Sequence, residues 1–224
     1  NLCKFFEVSN LKLLQNKDLI PIACRKLSAT EKSTYIMLTL AQYAKIKSRQ
    51  IEVAPFCKNT LEEKINDIRL LTRHKSMDFM EDLSDILKSC GIALVYLPQV
   101  KGSFLHGITF YDRNTNKIVL GITMRGKYAD RFWFSLFHEI SHVIQGHIYQ
   151  KNGTSDADET DADTMAAEIL IPSAKLKSFY QEKDYSIRSI KHFADLLQVG
   201  ESIVIGRLQN DKKIKQSQVN QYKS

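Results

Sequence analysis

The sequence predicts an α+β fold, mostly helical, with a small mixed or antiparallel sheet, and three observations carry that prediction. Apolar residues recur at helical spacing along much of the chain, as at Trp133, Leu136, Phe137, Ile140, Val143 and Ile144. Strand-like runs are confined to one region, at 92–97, 107–111 and 117–122. Hydrophobic residues make up 43% of the 224-residue chain, which supports a substantial core, as one large domain or one domain with an appended helical part.

Residues 1–75 read as a helical N-terminal or linking region. Ser28-Ala29-Thr30-Glu31 is a capping-box pattern that opens a stretch with Tyr35, Ile36, Leu38, Leu40, Tyr43, Ala44 and Ile46. Leu61, Ile65, Ile68 and Leu71 mark another helix; His74 has no ligand-spaced neighbour and reads as a surface residue. A second domain is expected at 76–210. It opens with a helix over 76–90, Ser76 at its N-cap and Gly91 as its stop. The run 92–97, closed by Pro98, reads as a buried strand. The other two strand-like segments flank the polar turn Asp112-Arg113-Asn114-Thr115-Asn116, a hairpin pattern. Such a sheet either offers an edge strand to an extended substrate or covers the neighbouring helix. After Pro172, two short helices around Val199-Gly200-Glu201-Ser202 resemble a helix-turn-helix, with Ala194, Leu197, Val199 and Val204 at core positions. Ile203, Val204 and Ile205 are too apolar for a nucleic-acid recognition surface, so this pair is expected to pack on the core. The basic residues from Arg207 onwards, Lys212, Lys213, Lys215 and Lys223 among them, predict a mobile tail, taken as residues 211–224.

The pattern H-E-x-x-H occupies residues 138–142. On a helix, residues four apart differ by about 40°, so His138 and His142 stand one above the other and can hold one Zn²⁺. Glu139 lies beside that face, placed to take a proton from water rather than to bind the metal. A catalytic zinc site needs a third protein ligand. His147 lies about 140° further round the same helix and completes the site only if the helix breaks at Gly146. Glu159 is the stronger candidate. It sits in a second helix with Ser155 or Asp156 as N-cap, acids in its first turn and Pro172 as its stop. Ala162, Ala166 and Ala167 give that helix a face for close packing. Asp163, four residues past Glu159, is placed to accept a hydrogen bond from a ligand histidine and fix its tautomer. Tyr111, Arg125, Tyr128 and His147 are candidate donors to an oxyanion.

Phe132-Trp133-Phe134-Ser135-Leu136-Phe137-His138-Glu139-Ile140-Ser141-His142, together with the block from Glu159 to Pro172, resembles the ImmA/IrrE family of bacterial zinc metallopeptidases. That family's second block typically reads E-x-E-A-N-x-F-A-A-x-L-L-x-P. Here the first Glu, the Ala-Ala pair and the Pro are kept, with Asp161, Asp163 and Met165 in place of Glu, Asn and Phe. The resemblance covers roughly residues 76–210 and implies a zincin-like core. The opening run Asn1-Leu2-Cys3-Lys4-Phe5-Phe6-Glu7-Val8-Ser9 and the Phe-Trp-Phe are similar to members in which a helix-turn-helix DNA-binding domain, as in HigA-type antitoxins, precedes the peptidase-like domain. The chain, which lacks an initiator Met, is expected to be a fragment beginning just after such a domain.

What the resemblance implies is a zinc-dependent metallo-endopeptidase that cleaves a bacterial or phage transcriptional repressor. For members with a fused helix-turn-helix, it implies a regulator that binds operator DNA through the missing N-terminal domain and has a toxin partner. The alternative is an antitoxin-like transcriptional regulator whose peptidase-like domain senses, scaffolds or forms a homodimer with little catalysis. No run approaches 18 apolar residues and no signal-peptide pattern opens the chain, so no membrane partner is expected. Cys3, Cys24, Cys57 and Cys90 are scattered without metal spacing, which suits reduced thiols in a cytoplasm. The net charge of +7 permits nonspecific attraction to nucleic acid and is equally a common solubility feature.

Overall fold

The computed structural model describes residues 2–15, 31–74, 78–100, 105–124, 129–150, 153–218 and 222. Ser28, Ala29 and Thr30 of the capping-box pattern, with Cys24, Ser76, Arg125, Tyr128 and Lys223, lie outside these. The α-helices are α1 (Leu2–Phe6), α2 (Glu31–Ser48), α3 (Lys58–Leu70), α4 (Phe79–Ser89), α5 (Ala129–Ile144), α6 (Asp156–Leu170), α7 (Ser173–Glu182), α8 (Ile187–Leu197) and α9 (Glu201–Asn210). Three strands, β1 (Ile92–Leu97), β2 (Gly107–Asp112) and β3 (Lys117–Thr123), lie between α4 and α5. The fold is therefore α+β and mostly helical.

The sheet is mixed, in the order β1-β3-β2, with β1 parallel and β2 antiparallel to β3. Side chains alternate across a strand, so each strand feeds two layers. Ile92, Leu94, Ile118, Leu120 and Ile122 join the main core with Trp133, Leu136, Phe137 and Ile140 of α5. Val95, Leu97, Ile108, Phe110 and Val119 face the other way, onto Met37, Leu38, Leu40, Ala41 and Ala44 of α2. Helix α2 is thus one outer layer of the sheet, while α3 places Leu61 and Ile68 in the main core on the other side. Thr109 pairs with Leu120 and so lies on the α5 face.

Several boundaries differ from the sequence expectation. Helix α4 begins at Phe79 rather than at residue 76, and Gly91 closes it at φ 87°. A Cβ there would meet the Phe56 Cα at 2.4 Å, so the position admits only glycine. The hairpin turn is held by Asp112, whose carboxylate accepts from Asn114 N–H at 3.1 Å and the Thr115 hydroxyl at 2.8 Å. Helices α8 and α9 meet at Gln198, with φ 57°, and α9 buries Ile203, Val204, Ile205 and Leu208. Its apolar side is consumed by the core. Residues 211–218 are not a free tail: Arg207 Nε donates to Asp211 at 2.8 Å, and Gln209 Nε2 donates to the carbonyls of Gln216 and Gln218 at 3.2 and 3.0 Å. Among the described residues, no helix is long and apolar enough to cross a membrane.

Candidate metal centre

Helices α5 and α6 run antiparallel, because Glu159 meets His142 and, one turn on, Asp163 meets His138. Ala162 and Ala166, both fully buried, let the two helices approach closely. Ser155 fixes where α6 begins, accepting from Asp158 N–H at 3.2 Å while Asp158 accepts from Ser155 N–H at 2.5 Å. Ligand-capable atoms of His138, His142 and Glu159 consequently lie within 4.8 Å of one another. The two Nε2 atoms are 3.0 Å apart, and the Glu159 oxygens stand 3.3 Å from His138 Nε2 and 3.6 Å from His142 Nε2. Two imidazoles and one carboxylate so placed could together hold a metal ion. His142 is buried, whereas the Glu159 side chain is 30% exposed, so the cluster opens to solvent on one side.

Both imidazoles are held from behind. His138 Nδ1 lies 2.7 Å from Asp163 Oδ1, and His142 Nδ1 lies 2.9 Å from His147 Nδ1. With each Nε2 presenting its lone pair to a metal, each Nδ1 carries the proton. His138 then donates to Asp163, and His142 donates to His147. His147 must therefore carry its own proton on Nε2, which faces Asp158 Oδ1 at 3.3 Å. Burial pushes the His147 imidazole below its ordinary pKa against the pull of Asp158, which keeps it neutral at pH 7. The chain from His142 through His147 ends on the carboxylate that caps α6.

Burial alone would lower the His138 imidazole, but the contact with Glu159, the charge of Glu139 and Asp163 outweigh it and raise the group to about 9. Burial would raise the Glu159 carboxyl, yet its contacts with both imidazoles hold it well below the usual carboxylate range. A proton sits where a divalent ion would displace it.

Glu139 lies beside this set and reaches towards β2. Its carboxylate accepts from the Thr109 hydroxyl at 2.5 Å and is buried. Burial pushes the Glu139 carboxyl upward, offset in part by Thr109 and the two imidazoles. Gly107 makes room for it, since a Cβ there would meet Glu139 Oε1 and Cγ at 2.5 Å. Gly107 and Thr109 had no signal in the sequence beyond a strand pattern; only the pairing with β3 turns both towards α5.

The remaining candidates separate clearly. Helix α5 ends at Ile144, and Gly146 at φ 75° starts a short 3-10 turn, His147–Tyr149. The break brings His147 to the Nδ1 side of His142, opposite the convergent Nε2 atoms, so His147 backs the site instead of completing it. Both its nitrogens are engaged, which also removes it as an oxyanion donor. The Tyr111 hydroxyl donates to Asn116 within the hairpin. Strand β2 is terminal in the sheet, yet every residue but Tyr111 is buried, which favours a covering role over substrate pairing along its length. Replacing His147 with Ala should weaken zinc binding by about 10–100-fold while the chain stays folded. Competition with a chromophoric chelator measures this; unchanged affinity would remove His147 from the site.

Residues 103–209 match the family model of peptidase M78, described as an IrrE N-terminal-like domain. The matched stretch contains β2, β3, α5 to α8 and all but the last residue of α9, and with them every residue of the cluster. The match supports the ImmA/IrrE resemblance and a metallopeptidase-like function in general for this part of the chain. No curated protein matches the chain.

Proposed function

We propose that the chain is a zinc-dependent metallo-endopeptidase, with His138, His142 and Glu159 holding the metal, Asp163 orienting His138, and Glu139 as general base. The observation that supports it most is the convergence of the three donor atoms within 4.8 Å, with a buried carboxylate next to them that takes no part in that set. A Zn²⁺ ion held there supplies Lewis-acid chemistry, polarising a carbonyl and acidifying water towards a pKa of about 7. Glu139 takes up the proton of the attacking water and returns it to the leaving amine. Its desolvated carboxylate is the more basic for being buried, and Thr109 keeps it oriented. The open side of the cluster, at Glu159 and Asp163, admits the substrate chain.

The substrate class follows the family resemblance: a bacterial or phage transcriptional repressor, cleaved to release gene expression. The test is incubation of the zinc-supplied protein with a proteome-derived peptide library and detection of new termini by mass spectrometry. Cleavages that disappear with a chelator and return with zinc are the expected result. A zinc-bound protein that cuts nothing would favour the regulator whose peptidase-like domain senses or scaffolds.

A further inference from the structure

Thr154 stands immediately before Ser155, the N-cap of α6, and is buried, at 7% exposure. The capping box fixes where the helix begins, and its first hydrogen bond, from Glu159 N–H to Ser155 O at 3.1 Å, makes Glu159 the fourth helical residue. The residue before an N-cap and the fourth residue of the helix are the pair that meet in a hydrophobic staple. Here that pair is a hydroxyl and a carboxylate. Burial would raise the Glu159 carboxyl, and the Thr154 hydroxyl joins the two imidazoles in holding it low, so the two side chains do meet. Among the described residues, however, Thr154 Oγ1 has no partner in full hydrogen-bond geometry. A buried hydroxyl is ordinarily paired, and Glu159 is the acceptor that the helix start brings to it.

Both Glu159 oxygens face imidazole nitrogens in this structure, Oε2 at 3.3 Å from His138 and Oε1 at 3.6 Å from His142. A carboxylate that gives one oxygen to a metal leaves the other to a hydrogen-bond donor, and such donors fix the ligand's orientation. We propose that Thr154 is a positioning residue of the metal centre, its hydroxyl donating to the Glu159 oxygen that the metal leaves free. The assignment rests on the metal site proposed above. The neighbouring hydroxyls serve the helix itself: Ser155 Oγ accepts from Asp158 N–H, and Thr160 donates to the Asp156 carbonyl at 2.8 Å. With Asp163 behind His138 and His147 behind His142, Thr154 gives the third ligand its own support.

Zinc affinity of the full chain, measured by competition with a chromophoric chelator at matched circular dichroism, tests the assignment without a substrate. Thr154→Val keeps the shape and removes the donor, and should weaken zinc binding by about 10–100-fold. Thr154→Ser keeps a hydroxyl and should stay within about threefold of the wild type. Rescue by serine separates the hydrogen bond from packing. Thr154→Ala takes the place of Thr154→Val should that variant fail to fold. Unchanged affinity on loss of the hydroxyl, or equal weakening in the serine variant, would overturn the role of Thr154 while the wild type's zinc upheld the metal site. A wild type that binds no zinc would overturn the metal site and the role with it.

Discussion

Glu139→Gln should keep its metal and lose about 10²–10⁴-fold of its peptide-cleaving turnover, the range for removal of a general base. The substitution is nearly isosteric, and the amide oxygen still accepts from Thr109 in the space that Gly107 leaves. Glu139 contributes no atom to the His138, His142 and Glu159 set, so the ligands are undisturbed. What the amide lacks is the capacity to take up a proton. Steady-state kinetics beside elemental analysis measures both quantities in one preparation. Turnover within about tenfold of wild type would exclude Glu139 as the base.

The second large effect concerns the scaffold. Trp133 is 1% exposed and packs between Phe79 of α4, with ring centroids 4.8 Å apart, and its neighbour Phe132 at 5.2 Å. It anchors the second turn of the helix that carries the cluster. Trp133→Ala removes a large buried ring from a close-packed core and should destabilise the chain by about 3–5 kcal/mol. That is a large share of a typical folding free energy of about 5–15 kcal/mol. Urea unfolding followed by circular dichroism measures the loss; a change under about 1 kcal/mol would show that α5 does not depend on this contact.

The helical stripe around Trp133, the strand 92–97 and the hairpin were legible in the sequence because each rests on a local period or turn. The convergence of His138, His142 and Glu159 was readable as residue types and spacing, since a helix fixes the first two and a cap and a proline delimit the helix of the third. The parts that depend on tertiary placement were not readable. The role of His147 turned on whether Gly146 would end the helix, a choice that local propensity leaves open. Thr109 reaches Glu139 across 30 residues of chain, through a strand register that no local pattern specifies. The 211–218 segment reads as a basic tail, yet amide hydrogen bonds to Gln209 hold it against α9.

The central claim is that three side chains from two antiparallel helices hold one zinc ion. Elemental analysis of the purified protein, supplied with zinc and then desalted, tests it most directly beside His142→Ala and Glu159→Ala at matched folding. About one zinc per chain in the wild type, lost in both variants, is the predicted result, as a three-ligand catalytic site requires. A wild type without metal, or variants that keep it, would contradict the claim.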